Sequence, residues 1–172
     1  MEDVKILNTN AIAFIGLAQD YCTTLENVMQ SDRAEFLNDM LRLLPRIYIS
    51  ATDLSVNIIE TEEAYIPSAL EEDYYDSIRR SIEQITGPDD VYLEVFEEEM
   101  KYSDTPVSAS ISEGLADIFQ VLYNFLQRVR DSTDEVIGLA IVSVKDDFKD
   151  YWSAILCNVL RAINHLVYTI DR

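Results

Sequence analysis

The sequence predicts an all-α fold: an antiparallel bundle of about six helices with a long C-terminal helix as its spine. Three observations carry that expectation. Apolar residues return every three or four positions along most of the chain, which gathers them on one side of a helix. Only 4 Gly and 4 Pro occur among 172 residues, whereas a sheet protein of this size turns often and uses both. The last stretch keeps one helical stripe with no proline to interrupt it. One domain over residues 1–172 suits the length, since such a chain buries roughly 70% of the surface its unfolded form exposes. An apolar fraction of 48% and a charged fraction of 26% are ordinary for a folded domain.

The first helix is predicted through Leu7, Ala11, Phe14, Ala18, Tyr21, Leu25 and Val28, with Asn8 or Asn10 as its cap. A second opens at Ser31 or Asp32 and carries Phe36, Met40, Leu44, Ile47, Tyr48, Ala51 and Leu54. Pro45 lies inside it, so a kink or a junction of two helices is expected there. Residues 55–67 read as connection. A third helix over about 68–85 ends at Thr86-Gly87-Pro88, where glycine tolerates a left-handed cap and proline stops the helix. Asp90 to Met100 reads as a short acidic helix, and 101–107 as a loop. The fifth helix starts near Ser110 or Ser112 with Ile111, Leu115, Ile118, Leu122, Phe125 and Val129 inward. Asp131 to Glu135 forms a turn. The last helix then runs through Ile137, Ile141, Val144, Phe148, Tyr151, Ile155, Val159, Ala162 and Leu166. Its expected length is about 35 residues, on the order of 50 Å at ~1.5 Å per residue.

The chain carries 32 acids against 13 bases, a net charge of −19. Such a field repels phosphate backbones and anionic lipid heads, which excludes direct binding to nucleic acid or a membrane surface. A basic protein or a divalent cation suits it. Charge concentrates in residues 60–104, where 15 acids meet 3 bases. Cys22 and Cys157 sit in apolar helical patterns and read as two buried free thiols of a reduced cytosol. The N-terminus is acidic, unlike a signal peptide, and no stretch of 18 apolar residues occurs. A cytoplasmic location is expected.

Three motifs occur in order: Tyr92-Leu93-Glu94-Val95-Phe96; Ser110-Ile111-Ser112-Glu113-Gly114-Leu115-Ala116-Asp117-Ile118-Phe119; and Phe148 to Trp152 followed by Val159-Leu160-Arg161-Ala162-Ile163-Asn164-His165. They resemble the YWEVF-type, SLxDDLADIY-type and FExHW…ALRALH-type motifs of a bacterial family known only as a domain of unknown function (number five thousand and sixty-three). The resemblance implies an all-helical cytoplasmic protein and no particular activity. This chain departs from the pattern at Leu93, where the family has an aromatic, and at Gly114, where it has an acid. It also lacks the histidine that often stands at Asp150 or Tyr151.

If residues 90–100 are helical, Glu94, Glu97 and Glu98 share a face. With Glu113 and Asp117 they are candidate ligands for a hard cation such as Mg²⁺ or Mn²⁺. A solvated acidic face is the plainer expectation. Tyr74, Tyr75 and Tyr92, with Glu97 and Glu98, suit a partner-binding patch, since rings and carboxylates both attract cationic side chains. A di-iron centre is excluded because it needs Glu-x-x-His pairs, and Ala162 stands three residues before His165, the one histidine. His165 reads as a core-edge residue, and Trp152 and Tyr151 as core anchors, the indole bonded to a carbonyl or to a carboxylate such as Asp117. No Gly-rich phosphate loop occurs. No cofactor is expected. The reading that results is a non-enzymatic cytoplasmic protein that binds a basic protein through its acidic middle, with an immunity- or antitoxin-like role as one concrete form. The alternative is a Mg/Mn-dependent hydrolase of the helical nucleotide pyrophosphatase type, for which Glu60, Glu63, Glu94 and Glu97 give half of the motif. A DNA mimic is a third.

Overall fold

The fold is seen in a computed structural model that describes residues 7–56, 65–94 and 107–169. It is all-helical, with a two-stranded sheet beside the helices. Helix α1 spans Thr9–Glu26, and α2 spans Arg33–Asp53. Helix α3 spans Glu72–Thr86 and α4 spans Ile111–Val129. Helices α5, Asp134–Asp147, and α6, Ser153–Tyr168, continue each other through a π-helical segment, Phe148–Trp152. Together they make the long C-terminal helix of 35 residues.

Helices α1, α2, α4 and α5 begin where a short polar side chain satisfies the first orphan amides. Asn8 accepts from the Ala11 amide at 2.9 Å, and Asp32 from the Glu35 amide at 2.8 Å. Ser110 accepts from the Glu113 amide at 3.1 Å and Thr133 from the Val136 amide at 3.4 Å. Helix α2 runs through Pro45 as a single helix, so the predicted junction of two helices is absent. Gly87 ends α3 at φ 60°, a conformation that costs glycine little. A tight turn of four residues, Gly87–Asp90, then leads into a strand.

That strand corrects the expected acidic helix. Val91–Leu93 is β1, antiparallel to β2, Ser108–Ser110, with Tyr92 opposite Ala109. Val, Tyr and Leu favour a pleated strand, and the glutamates that suggested a helix come only afterwards. The remainder of that predicted helix, 95–100, lies outside the described residues, as do Glu60 and Glu63.

The buried side chains form one cluster. Helix α4 lies at its centre and packs against α1, α3, α5 and α6, so it, more than the long helix, is the spine. Phe14 of α1 meets Phe125 edge-on at 5.3 Å and lies 6.4 Å from Trp152. The buried Tyr21 hydroxyl donates to the Leu115 carbonyl at 2.6 Å, which satisfies its polar tip. Gly114 permits the closest approach of α4 and α6, for a Cβ there would lie 2.3 Å from Val159 Cγ1. The long helix is pinned to the end of α2 by Lys145, whose ammonium donates to the Leu54 and Thr52 carbonyls.

In the π segment the inward stripe moves by one residue. Trp152 and Leu156 are buried, whereas Tyr151 is 51% exposed and Ile155 half-buried. The sequence reading places Tyr151 and Ile155 inside; the π segment moves those two inward positions on to Trp152 and Leu156, while Val159, Ala162 and Leu166 are buried as expected. Leu7, at 37%, and Tyr48, at 38%, are also exposed instead of inward. Cys22 is buried as expected, but Cys157 is exposed; both are free thiols.

Candidate functional site

The N-terminal half of α4 carries Glu113 and Asp117 one turn apart, facing α3, β1 and the π segment. Ser110 fixes this helix end from the sequence side, and Asp90 fixes it from below. Asp90 is buried and accepts from the Ser112 amide at 2.8 Å and the Ser112 hydroxyl at 2.6 Å. Its other contact is the Thr86 hydroxyl at 2.8 Å. One carboxylate thereby ties the end of α3 to the start of α4.

Above this clamp three tyrosines meet the two acids. The Tyr75 hydroxyl donates to Asp117 Oδ1 at 2.6 Å. Tyr151, rotated outward by the π segment, lies within the fields of Asp117 and Glu113. Tyr92 is hydrogen-bonded to Glu94 and feels Asp90 and Glu113 as well. The charge of Glu113 thus acts on all three phenols. Burial raises the Asp117 carboxyl above its ordinary value; Glu113 raises it further, and the Tyr75 bond opposes both. Burial first, and then the adjoining carboxylates, push the phenols of Tyr75 and Tyr92 well above the ordinary tyrosine range. The phenols therefore stay protonated and act as donors. Glu94 accepts from the Asn158 amide at 2.8 Å, which joins β1 to α6.

Tyr74, grouped with Tyr75 by sequence, belongs elsewhere. Its hydroxyl donates to Glu26, and its ring packs edge-on against Phe119 and Tyr123 at 5.9 Å each. Glu97 and Glu98 lie outside the described residues. The indole of Trp152 donates to the Val144 carbonyl at 3.2 Å, so Asp117 is not its partner. His165 is exposed on α6 instead of sitting at the edge of the core. Among the described residues no group of three or more His, Cys, Asp or Glu could hold a metal ion. The described members of the proposed ligand set, Glu94, Glu113 and Asp117, do not converge in that way.

Four ion pairs join described residues: Arg33 with Asp89, Arg79 with Asp76 and Glu83, and Arg80 with Asp76. Neither Glu113 nor Asp117 belongs to one. The acid–tyrosine cluster therefore holds negative charge that no described cation neutralises. Sequence reasoning named Tyr75, Tyr92, Glu113 and Asp117 but not their meeting, which depends on contacts 42 residues apart for Tyr75 and Asp117. It missed Tyr151 as a member because helical counting put that ring inside. Among the described residues no helix is long and apolar enough to cross a membrane.

A family model described as "Domain of unknown function (DUF5063)" matches residues 5–169. Among solved structures, protein BF1032 from Bacteroides fragilis is similar, with a TM-score of 0.80 and 25% identity. The match covers 96% of this chain and 97% of that one. A search of curated proteins finds no match.

Proposed function

The chain belongs to the DUF5063 family, and from that premise we propose a non-enzymatic, cytoplasmic protein that binds a basic protein partner. The acid–tyrosine cluster at the head of α4 is the point of attachment. The observation that supports this reading is the pairing of Glu113 and Asp117 with Tyr75, Tyr92 and Tyr151 where no described base neutralises them. A lysine or arginine brought there by a partner meets Asp117, already fixed by its bond from Tyr75, with the exposed Glu113 one turn away and rings beside them for cation–π contact. The net charge of −19 steers such a partner in from a distance. Neutralisation of a basic effector, as an immunity protein or antitoxin does, is the concrete form that suits this chemistry.

Affinity capture with the whole chain at about 0.05 M and about 0.5 M salt tests it, because screening shortens the reach of exposed charges. A basic protein should be retained at low salt and released at high salt. The double variant Glu113→Gln, Asp117→Asn should lower its retention roughly tenfold. Recovery of no protein at low salt, or equal retention by the variant, rules the reading out.

A further inference from the structure

A groove of about 650 Å³ runs between β1 and α6, within the ~300–1,000 Å³ of ordinary ligand sites. One wall is Val91, Tyr92 and Leu93; the other is Arg161 and His165, with Ile111 beneath. Successive side chains of a strand point to opposite faces. A groove touched by three residues in a row therefore meets the strand along its edge.

The ladder says which backbone groups lie on that edge. The Glu94 amide donates to the Val107 carbonyl at 2.7 Å. Antiparallel pairs alternate between bonded and non-bonded residues, so Tyr92 bonds Ala109, while the N–H and C=O of Leu93 and the C=O of Val91 turn away from β2. Val91 and Leu93 are also 64% and 59% exposed. An apolar edge strand whose outward backbone groups meet no partner among the described residues is a template for another strand.

The local charge of the groove wall, which at contact distance outweighs a net charge of −19 spread over the whole chain, selects what kind of strand. Arg161 and His165 stand one turn apart on α6, and Arg161 belongs to none of the ion pairs among the described residues. The acid that lines the same groove, Asp89, is already bonded to Arg33 at 2.7 Å. Arg161 thus offers a guanidinium fork to a carboxylate from outside.

We propose that this groove binds an extended acidic peptide segment of a partner protein, which adds as a strand to the outer edge of β1 and places an Asp or Glu side chain on Arg161 and His165. The inference is independent of the acid–tyrosine cluster, which takes the opposite charge; Tyr92 alone touches both.

The test screens the intact protein against an immobilised random library of octapeptides with amidated C-termini, so that the only carboxylates are side chains. Enriched peptides should alternate apolar or β-branched residues and carry at least one acid. Arg161→Ala should weaken the best of them tenfold or more. Leu93→Pro, which deletes the outward N–H without touching a bond to β2, should do the same while the helical circular dichroism is unchanged. In a titration followed by amide NMR, the Leu93 resonance should shift. If Leu93→Pro loses the helical signal, Arg161→Ala and the Leu93 resonance decide. Absence of enrichment, binding indifferent to Arg161, or an unmoved Leu93 amide overturns the proposal. Full competition by hexanoate that leaves Leu93 unmoved also overturns it, by making the groove a site for small carboxylic acids.

Discussion

Asp90→Ala removes three contacts of one carboxylate and leaves the Ser112 amide without its acceptor. Bonds to a charged group contribute about 1.5–3 kcal/mol, and an orphaned buried donor costs comparably. A loss of about 3 kcal/mol in urea unfolding is therefore expected. Asp90→Asn keeps one oxygen for the Ser112 amide and should lose only about 1 kcal/mol. Equal, small losses for both variants would show that the clamp is not what holds α3 to α4. The two thiols give a second test at this scale. Burial, and then Glu26, push the Cys22 thiol up to about 12, and thiolate is the reactive form. Cys157 is exposed. A thiol-specific reagent near neutral pH should label one cysteine in the native chain, two in urea, and none in native Cys157→Ser. Native labelling of both thiols contradicts the burial of Cys22. Neither the clamp nor the inequality of the thiols shows in the sequence, because each depends on what comes near from elsewhere in the chain.

Helices α4 and α6 touch at Gly114 because nothing larger fits. A Cβ at 2.3 Å from Val159 Cγ1 forces one helix or side chain to move, and overpacking of this kind costs roughly 1–3 kcal/mol. Gly114→Ala should lose that much in denaturant unfolding, and Val159→Ala introduced with it should recover part by opening the space. A neutral Gly114→Ala would mean that the helices lie farther apart. The acid that the family pattern places at this position has no room here. The same elements show what periodicity can reveal. Helices α1, α2 and α4 were legible because each has one apolar stripe and a polar cap, and α3 because its stripe ends at Gly87-Pro88, local signals that agree. The shift at the π segment was illegible because apolar residues lie on both sides of the step: Tyr151 beside Trp152, Ile155 beside Leu156. Either register of the stripe then looks satisfied. Strand β1 was missed because three residues are too few to display alternation. Of the candidate site the residue types were legible, since tyrosines and acids stand out in composition. Their grouping was not, since it follows from the strand and the π segment.

The field of the whole molecule sets how its stability responds to acid. Two carboxyls, Asp117 and Asp147, are raised above the ordinary aspartate value of 3.8, each chiefly by burial and then by neighbouring acids. In the interval just above that value the folded chain holds more protons than the unfolded one. Stability therefore falls as pH rises through the interval and grows as pH drops through it. A net charge of −19 acts in the same direction, since protonation relieves repulsion in the compact state. The urea midpoint should accordingly be higher near pH 4.5 than near pH 6.5. Salt separates the two causes: at about 1 M the Debye length is near 3 Å, so self-repulsion fades while the cost of burying a carboxylate persists. The pH dependence that survives in high salt should diminish in Asp117→Asn and in Asp147→Asn, and most in the double variant. A midpoint that falls on this acidification would mean that hydrogen bonds to ionised carboxylates outweigh both repulsion and the cost of burial.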